Sequence, residues 1–235
     1  MPGSIASPAI VNDRILEDEA VYAQAFSSAR PFRHVVIDDF LSEEFCRDIC
    51  RQFPAFDEQR ALNEDGFLGG KATQEKVRAL GPAFLRLDDA VQQAPFISLI
   101  ERITGVSGLH YDRFYYGGGT HENRQGQSLD PHVDFNYHPI TNEHRRLNLI
   151  IYLNEEWEDS WGGSLQLHED PYLEPNLDSI ITITPLLNRC VIFETNEYSW
   201  HGFETICLPP DRQSLSRKSF ALYFYTKERP EEETA

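Results

Sequence analysis

The sequence predicts a mainly β domain of sandwich or jelly-roll type, with flanking α-helices packed on one outer face. Two observations carry that expectation. From residue 108 onward, short segments rich in Tyr, Phe, Ile and Val alternate with turn signals, as in a β-sandwich. Before residue 105 the apolar residues recur at three- and four-residue spacing, which marks amphipathic helices. A chain of 235 residues is long enough for one domain with a sizeable core.

Residues 1–12 read as a loose tail within an N-terminal extension over 1–30. PFRHVVIDDF at 31–40 reads as a strand carrying Val35, Val36 and Ile37. Ser42 is placed to open a helix, because LSEEFCRDICRQF spaces Leu41, Phe45, Ile49 and Phe53 four apart and puts acidic residues in the first turn. Residues 57–72 are polar and contain glycine, so a loop is expected. Two helices are expected over 73–92 and 95–104, the second ended by Gly105. Segment 31–107 is thus helical support for the β-rich half of the chain. Strands are expected near 109–116, 131–137, 146–154, 163–169, 179–184, 190–194, 199–206 and 217–226. They form a core over 108–226, and KERPEEETA at 227–235 is a charged tail. Residues 117–130 (GGGTHENRQGQSLD) and 170–178 (DPYLEPNLD) are expected to be loops, the first a candidate lid. The change near residue 105 is a change of layer within a single domain over 1–235.

The formal net charge of −17 makes the surface a poor nonspecific partner for nucleic acid or anionic lipid. No apolar run reaches the ~18 residues of a membrane span, and residues 1–9 lack the features of a signal peptide. A soluble cytoplasmic protein is expected, with neither nucleic acid nor membrane as partner. Of the four cysteines, Cys46 and Cys50 lie four apart on a helix with no second pair to close a zinc site, so free thiols are expected.

The chemistry lies in the C-terminal half. His132-Val133-Asp134 on an extended segment places an imidazole and a carboxylate on the same side of the chain. His201, in SWHGFETI, can complete a facial set of two histidines and one carboxylate, which suits Fe(II) and leaves coordination positions open. Arg217 and Ser219 project to one side of the last strand and Lys218 to the other. A guanidinium fork with a hydroxyl beside it matches a carboxylate, and Lys218 is the competing anchor. Asn148, Ile150 and Tyr152 share a face of RLNLIIYLN, where the two polar members need partners, which a bound carboxylate would supply. Tyr116 is a similar candidate, with Tyr115 competing. His34, His110 and His168 read as structural, whereas His121, His138 and His144 flank the expected mouth. Phe135, Tyr137, Trp157, Trp161 and Trp200 could line the substrate side, although packing is the expected role of the tryptophans. Arg145 and Arg146 precede the third strand; one of them could meet an anionic substrate group, although surface salt bridges are the expected role.

With these residues placed, PHVDFN, RRLNLIIYLNEEWEDSWGGSLQLHE, NRCVIFETNEYSWHGF and SRKSFALYFYT resemble the Fe(II)/2-oxoglutarate-dependent dioxygenases, in the prolyl-4-hydroxylase-like branch. The resemblance covers roughly residues 108–226. It implies a double-stranded β-helix, a cupin-like distorted jelly roll. It implies iron held by His132, Asp134 and His201, and 2-oxoglutarate held by Arg217 and Tyr152 with Ser219, Asn148 and Tyr116 assisting. O2 is the oxidant and ascorbate an accessory reductant. The implied reaction is hydroxylation of an unactivated C–H with decarboxylation of 2-oxoglutarate to succinate and CO2. The substrate is a prolyl or other residue in a polypeptide, or alternatively a free amino acid or biosynthetic intermediate. Net acidity leans toward a neutral or cationic substrate. A non-catalytic jelly-roll binding module and a zinc-dependent cupin-type hydrolase or isomerase are the readings from other classes.

Overall fold

The structure is a computed structural model that describes residues 10–60 and 71–230. Its strands form two antiparallel sheets. The larger contains β1 (His34–Ile37), β2 (Ala72–Gln74), β3 (His110–Tyr111), β4 (Gly119–Asn123), β6 (His144–Tyr152), β9 (Cys190–Glu194) and β11 (Arg217–Thr226). Their spatial order is β1-β9-β6-β11-β4-β2, with β3 also paired to β11. The smaller sheet orders β5 (Leu129–His132), β10 (Trp200–Phe203), β7 (Leu165–His168) and β8 (Ile180–Ile183) as β5-β10-β7-β8. Tyr152, Val191 and Phe193 from the large sheet pack on Leu165, Leu167 and Ile183 from the small one. The result is a double-stranded β-helix, two sheets face to face rather than a closed barrel.

The other face of the large sheet is covered by helices: α1 (Asp13–Glu17), α2 (Glu19–Ser28), α3 (Glu43–Arg51), α4 (Pro82–Val91) and α5 (Ala94–Thr104). Val35, Ile37, Leu147, Leu149, Ile151, Ile192, Phe220, Leu222 and Phe224 point outward from their strands into this layer. They meet Phe26, Phe45, Ile49, Phe84, Leu87, Leu99 and Ile103 from the helices. Alternation in the strands therefore sorts the main core to one side of the large sheet and the polar row of β6 and β11 to the other. The helical layer lies on the outer face, as expected from the sequence.

Several boundaries differ from the sequence expectation. The helix expected over 73–92 begins only at Pro82; β2 and a short 3-10 turn at Val77–Ala79 precede it. Proline is favoured in the first helical turn and disfavours helical geometry in the residue before it, so Gly81-Pro82 sets the start. The strand expected over 109–116 shortens to two residues, because Asp112 caps a turn through Phe114 and Tyr116 N–H groups. The loop expected over 117–130 contains β4, whose five residues are all buried between β11 and β2. Polar side chains in GTHEN hid this strand from a hydrophobic pattern. Part of the expected 1–12 tail is packed: Ile10 and Val11 are buried, and Val11 bridges Leu41. Residues 1–9 and the end of the charged tail, 231–235, lie outside the described residues, as do residues 61–70 of the 57–72 loop. No helix among the described residues is long and apolar enough to cross a membrane.

Candidate functional site

The site sits between the sheets, where β5 ends and β10 passes beside it. His132 and His201 are paired across these two strands, which sets their rings 4.5 Å apart. Asp134 lies just beyond the end of β5, short of the strand expected through 137, yet still on the His132 side. Its Oδ2 is 3.5 Å from His201 Nε2 and its Oδ1 is 3.9 Å from His132 Nε2. One ligand atom from each of the three residues falls within 4.8 Å of the others.

Both rings are oriented from behind. The Nδ1–H of His132 donates to the Asp130 carbonyl at 2.9 Å, and that of His201 to the Ser199 carbonyl at 2.9 Å. A carbonyl only accepts, so each Nδ1 carries a proton and each Nε2 is left facing Asp134. Burial lowers the His201 pKa to about 4, despite Asp134 opposing it, so the ring is neutral at pH 7. Burial pushes the Asp134 carboxyl up, but Arg145, then His201 and the Asn148 hydrogen bond, hold it well below the usual carboxylate range. Two imidazoles and one carboxylate, convergent and mixed in donor type, fit a facial Fe(II) site.

Arg145 is the feature that sequence reasoning missed. Expected on the surface, it is among the most buried side chains, at 1% exposure. Its Nη2 is 3.1 Å from Asp134 Oδ2, and its Nη2 and Nε donate to Asn148 Oδ1 at 2.7 and 3.0 Å. Asn148 Nδ2 in turn donates to Asp134 Oδ2 at 2.7 Å, so Arg145, Asn148 and Asp134 form a closed triangle. The Arg145 guanidinium is sandwiched by the rings of Tyr223 at 3.6 Å and Phe135 at 4.6 Å. Strand parity would send Arg145 outward if Asn148 faces in. A bulge reverses it: Leu147 pairs with Phe224 but Arg145 pairs with Tyr225, leaving Arg146 as the extra residue. Arg146 is buried too, and donates to Thr226 Oγ1. The partner expected for Asn148 was a bound carboxylate, and the one it has is Asp134.

Arg217 lies deeper along the same face, 5% exposed. Its Nε donates to the Gly163 carbonyl at 2.5 Å and its Nη2 to the Tyr152 hydroxyl at 3.2 Å, while Nη1 has no protein acceptor among the described residues. The Phe203 ring lies 4.3 Å from the guanidinium carbon. Gly163, at φ +70°, brings its carbonyl to Arg217; a Cβ there would stand 3.1 Å from the Trp157 ring and 3.2 Å from Arg217 Cδ. The Gly-Gly after Trp161 is therefore part of the guanidinium's seat. Ser219 is buried on the same face, opposite Tyr152 and His121. Lys218 points to the outer face, 5.5 Å from the Phe53 ring. Tyr115 is turned away into the helical core, where its hydroxyl donates to Asp88. Tyr116 is 44% exposed at the rim, its ring 5.8 Å from that of Phe135.

The remaining candidates separate. Trp157 and Trp161 pack with Phe203, Ile206 and Leu208, as expected of packing residues. Trp200 stacks edge-on against Tyr172. His34 and His168 are held by the Phe32 carbonyl and Asp178, and His110 pairs with Glu143. His138 is buried against Asp112 and the turn it closes, whereas His121 reaches the inner face and donates to the Gly117 carbonyl. Lys71 also arrives there. Burial pushes its ammonium down to about 8, with Asp134 opposing and Arg145 and Arg217 adding to the fall. All four cysteines are free.

Comparison with known proteins points one way. The model of the 2OG-Fe(II) oxygenase superfamily matches residues 108–225. The prolyl 3-hydroxylase OGFOD1 of Mus musculus is 31% identical over 84 residues, a stretch covering 35% of this chain and 14% of that protein. A prolyl hydroxylase from Trichoplax adhaerens, solved with a hypoxia inducible factor peptide, superposes with a TM-score of 0.57 at 15% identity, over 91% of this chain and 93% of that one. A prolyl 4-hydroxylase from Phytophthora capsici gives a TM-score of 0.58 at 19% identity, over 96% and 69%. The epimerase SnoN from nogalamycin biosynthesis gives 0.59 at 14% identity, over 89% and 84%. At these identities the solved structures share the fold.

Proposed function

Because the chain belongs to the 2OG-Fe(II) oxygenase superfamily, we propose that it hydroxylates an unactivated C–H of a prolyl or other residue in a polypeptide. His132, Asp134 and His201 hold the iron, and Arg217 with Tyr152 holds the distal carboxylate of 2-oxoglutarate. The single observation that carries this reading is the convergence of His132, Asp134 and His201, with one ligand atom from each within 4.8 Å of the others. Bound Fe(II), with 2-oxoglutarate and O2, supplies an oxidant that inserts one oxygen into a C–H while 2-oxoglutarate leaves as succinate and CO2.

The chain's own groups do the positioning. The backbone carbonyls of Asp130 and Ser199 fix both imidazoles as Nε2 donors. Arg145 and Asn148 keep the Asp134 carboxylate ionised and aimed. The Nη1 of Arg217, which has no protein acceptor among the described residues, and the Tyr152 hydroxyl offer donors to a carboxylate in a low-dielectric seat, where charge-assisted hydrogen bonds are strong. Tyr116, Phe135 and Tyr137 form an exposed aromatic rim that can receive a substrate. The same chemistry on a free amino acid or biosynthetic intermediate is the alternative reading.

The test is spectroscopic and chemical. Anaerobic protein with Fe(II) and 2-oxoglutarate should show a weak visible charge-transfer band, and in air should release succinate. Absence of both sinks the reading. Omitting ascorbate from the same assay decides whether an accessory reductant is needed.

A further inference from the structure

The strand registers place a cation where the oxygenase chemistry has no use for one. Ala72 pairs with Glu122 and Thr73 with His121 on β4, while Asn123 and His121 of β4 pair with Arg217 and Ser219 of β11. One residue before β2, Lys71 therefore continues the row Arg217, Asn123 on the inner face of the large sheet. Its ammonium lies in the field of Asp134, Arg145 and Arg217, and His121 feels it in turn. Among the described residues it makes no hydrogen bond and no ion pair within 4 Å. The nearby Glu75 carboxylate is engaged by the Gly117 N–H at 2.7 Å.

Charge accounting over the described residues leaves Lys71 unanswered. Asp134 is matched by Arg145 at 3.1 Å. A divalent metal and dianionic 2-oxoglutarate add equal and opposite charge, so Arg217 and Lys71 leave an excess of two positive charges. Arg217 is placed at the distal carboxylate, and Lys71 has no ion-pair partner among the described residues. A buried ammonium without a counter-charge is costly unless a ligand supplies one. We propose that Lys71 is the anion-holding part of a substrate subsite, so that the molecule oxidised carries a carboxylate near its reacting carbon and an apolar body that packs on Phe135 and Tyr116. This rests on the oxygenase reading and deepens it. It also reverses the lean toward a neutral or cationic substrate suggested by the charge of −17, because the local field is positive where the global one is negative.

The carboxylate could belong to a free amino acid or to an acidic side chain flanking the target in a peptide, and paired probes separate the two. The full chain, loaded with Mn(II) as an O2-inert metal and with 2-oxoglutarate, is titrated calorimetrically with L-proline and L-prolinamide. It is then titrated with N-acetylated, C-amidated Glu-Pro-Glu and Gln-Pro-Gln. In at least one pair the acid should bind more than about tenfold tighter than the amide, the size of one charge-assisted hydrogen bond. The pair that shows the ratio identifies the source. Lys71→Met should bring that ratio to within about threefold and leave the 2-oxoglutarate Kd within about twofold, while Lys71→Arg should retain most of the preference. Wild-type protein that binds no acid probe, or binds acid and amide alike, overturns the proposal. So does a ratio that survives Lys71→Met, or a variant that loses 2-oxoglutarate affinity with the ratio unchanged. Failure of 2-oxoglutarate itself to bind the metal-loaded wild type overturns the oxygenase reading, and this inference with it.

Discussion

Replacing Arg145 with Met removes the counter-charge of Asp134 while keeping the apolar stem between Phe135 and Tyr223. The pair is 3.1 Å apart, with side-chain exposures of 1% for Arg145 and 14% for Asp134. Breaking one partner of a buried ion pair costs about 3–5 kcal/mol, and partial exposure of Asp134 favours the lower end, ~3 kcal/mol. For a domain of this size that corresponds to a fall in Tm of roughly 6–12 °C. Asp134→Asn should cost a similar amount, because it strands the Arg145 guanidinium. The double variant should be much better than the sum, with a coupling above about 1.5 kcal/mol in a double-mutant cycle. The assay is thermal and urea unfolding of metal-free protein in chelator, so the cycle reads the ion pair and not the metal. Asp134 has a depressed carboxyl pKa in the folded state. Its contribution is therefore present above the unfolded carboxylate value of about 4 and is lost as pH falls below it toward the folded value. The coupling should be flat from about pH 8 to 5 and shrink only in more acidic solution. Strictly additive variants, or a coupling that disappears near neutral pH, would refute the account of Arg145.

Other expectations concern the same face of the sheet. Arg217→Met should raise the 2-oxoglutarate Kd of the Mn(II)-loaded protein by ~100-fold or more, by removal of paired charge-assisted donors, while Lys218→Met on the outer face changes it within about twofold; the reverse order would put the strand register in error. His132→Ala and Asp134→Ala should each abolish the anaerobic visible band of the Fe(II) and 2-oxoglutarate complex, measured by absorbance, with the far-UV circular dichroism of the fold retained. Gly163→Ala should lower stability by about 1–2 kcal/mol, the cost of a side chain in the left-handed region. Because Gly163 seats Arg217, the same variant should weaken 2-oxoglutarate binding in the calorimeter, and a loss of stability with unchanged affinity would count against that role.

How far the site was legible depends on how local its parts are. His132 and Asp134 are two residues apart, and Arg217 and Ser219 likewise, so alternation alone placed each pair on one face. His201 lies 67 positions beyond Asp134 and entered as a distant second histidine able to complete a facial set. The row Asn148, Ile150, Tyr152 was legible for the same reason, but what Asn148 touches was not: its partners, Asp134 and Arg145, come from a neighbouring segment and from beyond a bulge. Arg145 reads as a surface cation ahead of the expected strand, and strict parity from Asn148 would turn it outward. Only the extra residue at Arg146, visible as a register shift against β11, turns it back.

β4 shows the same limit in the fold. GTHEN has no apolar alternation, since its inner face is His121 and Asn123, and its burial comes from the strands on either side. Lys71 is further still from the motif, separated from Asp134 by sixty-odd positions that pairing of β2 with β4 brings together. By itself the sequence determined the double-stranded β-helix with its helical outer layer, the His132, Asp134, His201 set and the inward Arg217. Local periodicity carries a sandwich or jelly-roll class with outer helices, short spacings carry the His132, Asp134 pair and the parity of Arg217, and the family resemblance implies the double-stranded β-helix itself. Tertiary structure alone decided what surrounds them: the Arg145 counter-charge, the Gly163 seat and Lys71, which has no counter-charge among the described residues. Each depends on register between strands distant in the chain, and one bulge or one added strand changes which charges meet.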